Sequence, residues 1–168
     1  MTAILTPDMH PDDPPWLVYA ITHMGCRELL PNGGLNPEVR RFFSATSFPP
    51  QLINLRTAWC SAFVSHCLEE SGYRSTRSAA AKSYLKYGRE IVKIKRGAIL
   101  VFTRGASEAS TGHVGFYVGD QPGTESVLVL GGNQKNCVGV QPYSRDRLMA
   151  VRWPVEKLRV IVSGSPAA

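Results

Sequence analysis

Apolar residues recur along the chain with two different periods, and the change from one to the other divides it. In the first half the period is helical. Leu17, Ala20, Ile21 and Met24 follow Asp13-Pro14-Pro15, which reads as an N-cap with prolines at the first turn, and Gly25 ends the run. Asn36-Pro37 opens a second short helix with Val39, Phe42 and Phe43 on one side, and Pro49-Pro50 breaks the segment after it. Cys60, Phe63, Val64, Cys67 and Leu68 recur at the spacing of one helix face, so a third helix starts at or just before Cys60 and is closed by Gly72. Ser78 is placed to cap a fourth helix through Ala79-Ala80-Ala81 to Tyr87, ended by Gly88.

After Gly97 the period is that of strands. Ala98 to Phe102 is a short continuous apolar run, and Val114, Phe116 and Val118 alternate with His113, Gly115 and Tyr117. Pro122-Gly123 marks a turn, Val127 to Leu130 returns, and Val138 to Val140 and Leu148 to Trp153 are further strands. Helices first and consecutive strands second predict an α+β fold with an antiparallel sheet. A hairpin that pairs residue 119 with 126 sets 113 opposite 132.

Length and composition narrow the classes. The 168 residues suit one domain, expected over 15–160, with an N-terminal extension at 1–14 and a frayed tail at 161–168. With 43% hydrophobic and 19% charged residues the chain is not disordered as a whole, and it contains no apolar run long enough to span a membrane. A net charge of +6 favours an anionic partner, whether wall polymer, lipid surface or nucleic acid. Lys93, Lys95, Arg96, Arg145 and Arg147 are not interleaved with aromatics in a recognition motif, so nucleic acid is not the expected partner. Residues Met1 to Pro15 lack the basic start and apolar middle of a signal peptide, which predicts synthesis and retention in the cytoplasm unless a specialised route exports the protein.

The cysteines are Cys26, Cys60, Cys67 and Cys137. No Cys-x-x-Cys pair and no histidine pair at ligand spacing is present, so neither a metal site nor a disulfide framework is expected. Cys26, Cys67 and Cys137 read as small buried apolar groups. Cys60 differs: free N–H groups and the positive dipole end at a helix start favour its thiolate. Its base would be His113, which begins a strand with Gly112 before it and Gly115 next on the same face, leaving room for a helix end. His10, His23 and His66 read as ordinary core or surface histidines, and His66 lies about 240° round the helix from Cys60. The imidazole needs an orienting group, and Gly131-Gly132-Asn133-Gln134 arrives beside it. Strict alternation puts Gln134 on the face of His113, and a bulge at the glycines would exchange it for Asn133. Asn133 is preferred and Gln134 is the fallback, either accepting from the Nδ1–H. Backbone N–H groups at the helix start, including that of Cys60, are the natural oxyanion donors.

Trp59-Cys60-Ser61-Ala62-Phe63-Val64, Gly97 to Phe102, Gly112-His113-Val114-Gly115 and Gly131 to Gln134 stand in the order found in NlpC/P60- and CHAP-type cysteine peptidases, and the chain resembles that group over residues 15–154. The resemblance implies a papain-like NlpC/P60 fold, with the nucleophile at a helix N-terminus packed on the antiparallel sheet. It implies hydrolysis of a stem- or cross-link-peptide bond of peptidoglycan, with Cys60 as nucleophile and His113 as base and without a cofactor. Many members carry histidine as the third polar residue, where this chain offers Asn133 or Gln134. Trp59, Ser61, Gly112 and Gln134 are the expected substrate contacts, with Tyr117 a further candidate to line the cleft. Two settings fit. One is a type VI secretion amidase effector that acts in a rival's periplasm and is paired with an immunity protein, favoured by compactness and the lack of a wall-binding module. The other is a phage-type endolysin. Acyl transfer on the same scaffold and a non-catalytic basic wall- or nucleic-acid-binding module are the rival readings.

Overall fold

The computed structural model describes residues 7–104 and 111–158, so the expected tail at 161–168 lies outside the described residues. Helices α1 (Pro15–Thr22), α2 (Pro37–Phe42) and α3 (Cys60–Glu70) come first. Strands β1 (Arg89–Glu90), β2 (Ile99–Thr103), β3 (Gly112–Asp120), β4 (Ser126–Gly131), β5 (Gly139–Ser144) and β6 (Leu148–Trp153) come after them. They form one sheet in the order β1-β6-β2-β3-β4-β5, and every neighbouring pair is antiparallel. The α+β architecture expected from the change of period is the one observed.

The helices bury one face of the sheet. Leu17 and Ala20 of α1, Val39 and Phe42 of α2, and Phe63, Val64, Cys67 and Leu68 of α3 pack with Ile99, Val101, Val114, Phe116 and Leu130. The opposite face holds a second cluster, Ala98, Leu100, Phe102, Val127 and Val129, covered by Tyr117, Tyr143, Leu148, Val151 and Trp153. Strand β2 is therefore buried on both sides, which is why its sequence is a continuous apolar run rather than an alternating one.

Three local expectations are corrected. Asp13 does not cap α1; Pro14 holds that position without a side-chain bond. Asp13 instead accepts from Nε and Nη2 of Arg96 at 2.8 and 2.9 Å, and Arg96 also donates to the carbonyls of Asp8 and Val118. The described part of the N-terminal extension is thereby strapped to the sheet. The fourth helix is a 3₁₀ segment, Ala81–Lys86. Ser78 Oγ accepts from the Ala80 N–H ahead of this segment. The β3–β4 register also differs: the turn is wider than expected, so Gly119 pairs with Leu128 rather than with residue 126, and an irregularity between Tyr117 and Gly119 then absorbs one residue, so that Tyr117 pairs with Val129 and Phe116 with Leu130.

Candidate active site

Helix α3 delivers Cys60 at its first position, and the side chain is 2% exposed. The close approach of this helix start to the sheet depends on Gly132. A Cβ there would lie 2.6 Å from Trp59 Cζ3 and 2.7 Å from Phe63 Cβ. The role expected of Gly115 is different in the structure: its missing Cβ clears Val129 Cγ1 and the Leu130 carbonyl of the adjacent strand, not a helix end. The backbone N–H groups of Val114, the residue after His113, and of Ser61 and Cys60 itself lie near enough to the Cys60 sulfur to favour its thiolate. Helix start and strand start thus meet at the thiol.

His113 is 1% exposed. Its ring lies flat against Tyr143 of β5, with centroids 4.9 Å apart and planes 4° from parallel. Nε2 is 3.0 Å from Gln134 Oε1. The amide of Gln134 is itself oriented, since its NH₂ donates to the Val129 carbonyl at 3.0 Å and to the Gly139 carbonyl. With both N–H bonds committed to carbonyls, Oε1 has to face the ring, and Nε2 of His113 carries the proton. In the neutral ring Nδ1 then keeps the lone pair, and it is buried without a hydrogen-bond partner among the described residues.

The contact expected of Asn133 is made by Gln134, and on Nε2 rather than Nδ1. Strand β4 ends at Gly131, and Asn133 adopts φ 58°, in the left-handed region. The observed register, carried past Gly131 by alternation alone, would have pointed to Asn133. The turn overrides parity and brings Gln134 inward, where it is 3% exposed.

Burial sets the charge state. It pushes the Cys60 thiol above its ordinary 9.0, against the N–H donors of Val114, Ser61 and Cys60 and the positive charge of Arg104. It pulls His113 down from 6.5 to about 4, helped by Arg104 and Arg147 and opposed by the Gln134 hydrogen bond. Both shifts run against the thiolate–imidazolium pair, opposite to the pull expected from the helix dipole alone. Arg104, which acts on Cys60, His113 and Tyr143 alike, was not singled out in the sequence. Neither was Tyr143. The first is one arginine among many, and the second meets His113 only through strand pairing.

The depressed histidine makes a stability prediction with a definite sign. Between 6.5 and about 4 the unfolded chain protonates His113 and the folded chain does not. The stabilisation is complete above 6.5, declines as pH falls towards 4, and amounts to about 3 kcal/mol at most. Urea midpoints at pH 7 and pH 4.5 are expected to differ more for the native chain than for His113→Gln.

Of the other expected site residues, Trp59 is fully buried, stacks on Phe42 and donates Nε1–H to Glu28 Oε1 at 3.0 Å, so it is a core residue and lines no cleft. Ser61 is also fully buried, and its hydroxyl ties α3 to the Ser78 carbonyl at 2.6 Å. Gly112 is half-buried at the start of β3 opposite Thr103, and Tyr117 covers the second apolar cluster. A cavity of about 600 Å³ is lined by Phe48, Thr57, Ala58, Ser78, Ala79 and Ala80 among others, ahead of α3 in the chain, and neither Cys60 nor His113 lines it.

Residues 53–133 match the CHAP domain. Over this segment the chain is CHAP-like. The match contains Cys60 and His113 and ends one residue before Gln134. No curated protein matches the chain. A CHAP-like segment on a helix-plus-antiparallel-sheet scaffold indicates a hydrolase directed at peptidoglycan, an amidase or peptidase in general terms. Among the described residues no helix is long and apolar enough to cross a membrane.

Proposed function

We propose that the protein hydrolyses an amide bond in the peptide part of peptidoglycan, with Cys60 as nucleophile, His113 as base and acid, and Gln134 as the residue that positions the ring. The observation that carries this reading is the tautomer imposed by Gln134, which leaves a buried, unpartnered Nδ1 on the residue next to Val114, whose amide lies near the sulfur. Sγ attacks the carbonyl carbon while its proton passes to Nδ1. The resulting imidazolium is steadied by Gln134 through Nε2–H. Collapse of the tetrahedral adduct breaks the C–N bond, and Nδ1–H protonates the departing amine. Water then attacks the thioester, Nδ1 takes its proton, and carboxylate and thiol are released. Backbone N–H groups at the start of α3 are the oxyanion donors.

Digestion of purified sacculi tests the chemistry. Amide hydrolysis is expected to release new amino groups and no new reducing ends, with the cleaved bond identified by mass spectrometry. New reducing ends, or soluble products that incorporate an added amine in place of water, would point to glycoside cleavage or to acyl transfer instead. For the biological setting we favour a type VI effector acting in a target cell's periplasm with an immunity protein in the producer, over an endolysin. The net charge of +6 suits the anionic wall in either case, and an adjacent gene for a small exported protein would separate the two.

A further inference from the structure

On the side of α3 away from Cys60, the three helices bring together groups that no sequence spacing connects. His23 follows the end of α1, Glu38 lies in the first turn of α2, and His66 is in α3. One ligand atom from each lies within 4.8 Å of the others. Glu38 Oε1 is 3.3 Å from His23 Nε2, and His66 Nε2 is 3.4 Å from the hydroxyl of Tyr19. Tetrahedral zinc with bonds of about 2.0–2.1 Å sets its ligand atoms about 3.3 Å apart, so both separations equal the edge of such a site.

The surroundings of His23 leave Nε2 free to meet a cation. Nδ1 lies 3.0 Å from the carbonyl of Tyr19 and 3.2 Å from the hydroxyl of Thr22. When Nδ1–H donates to that carbonyl, which can only accept, Nε2 turns its lone pair towards the Glu38 carboxylate, and a metal ion between them is held by both. A ring whose far N–H is held by a backbone carbonyl is also the arrangement that orients metal-bound histidines. The site is reachable: the side chains of His23 and Glu38 are 13% and 34% exposed, while His66 is buried. Arg41 reaches Glu38 Oε1 at 3.6 Å from the solvent side with 55% of its side chain exposed, and Glu70 adds negative charge near His66.

We propose that His23, Glu38 and His66 form a site for a borderline divalent metal, zinc in the first instance, with the Tyr19 hydroxyl or water in the fourth position. The ion braces α1 and α2 against α3, the helix that carries Cys60, and takes no part in the reaction. The nitrogen and oxygen donors suit zinc or cobalt better than calcium or magnesium.

The test uses the full chain with Cys60→Ala, so that no metal can lodge at the thiol of the candidate active site. Co²⁺ is expected to bind at one equivalent with the intense visible absorption of four-coordinate cobalt and without sulfur charge-transfer bands. Zinc at about 100 times its Kd is expected to raise Tm by roughly 5–10 °C. Glu38→Gln and His23→Gln, each added to that chain, are expected to weaken binding more than the ~10–100-fold typical of outer-shell losses and to abolish the zinc-dependent shift. Glu38 is half exposed, so its variant reports on the site even if a change at buried His66 prevents folding. No stoichiometric binding, binding that survives both substitutions, or an unchanged Tm would overturn the proposal and leave His23 and Glu38 as a hydrogen-bonded pair.

Discussion

Cys60→Ala is expected to reduce product release from sacculi by roughly 10⁴-fold or more while the chain stays folded. The substitution removes one sulfur and leaves the backbone donors of Val114, Ser61 and residue 60 in place. Ser61, the neighbouring hydroxyl, cannot take over as nucleophile because it is committed to the Ser78 carbonyl. The cost in stability is about 1 kcal/mol, the cost of a small buried group. Cys67→Ala is the matched control. Cys67 lies two turns further along α3 and is at least as buried, so its loss disturbs packing to a similar degree and is expected to leave turnover within a few-fold. Equal loss in both variants would trace the effect to packing, and activity retained by Cys60→Ala would remove the thiol from the chemistry.

Gln134→Ala is expected to lower kcat by roughly 10²-fold and to destabilise the fold by about 2–4 kcal/mol. Gln134 is a junction of three contacts. It accepts from His113 Nε2 and donates to the carbonyls of Val129 and Gly139, on the adjacent strands β4 and β5. Truncation leaves these buried partners unpaired, which accounts for the loss of stability. It also frees the ring to turn or to hold its proton on Nδ1, which accounts for the slower turnover. A purely structural role predicts lost stability with kcat restored at low temperature. A positioning role predicts that kcat stays low wherever the variant is folded, with KM little changed. Asn133→Gly, which suits φ 58° and removes the competing amide, is expected to retain near-native turnover.

Much of this architecture can be read from the chain because it arises locally. The apolar face of α3 comes from contacts three and four residues apart, and it set Cys60 at the helix start. The alternation around His113 placed the histidine at the beginning of β3. The hairpin register differed by two residues at the turn and by one at Tyr117, because neither the wider turn nor the irregularity after Tyr117 has a composition signal of its own. That slip would have exchanged Asn133 and Gln134, and the positive φ of Asn133 exchanged them again. Trp59 and Ser61 flank the nucleophile in sequence, yet both turn inward, since neighbours of a buried helix start share its burial.

Local pattern along the chain dictates the order of helices and strands, the thiol at the head of one and the imidazole at the head of another, because periodicity and glycine positions act over a few residues. Packing in three dimensions selects which amide meets the ring and on which nitrogen, since that contact joins residues 113 and 134 across a turn. It selects the proton states too, because desolvation depends on every segment that covers the pair. The same holds for the meeting of His23, Glu38 and His66, which comes from three helices packing and leaves no spacing to read in the chain.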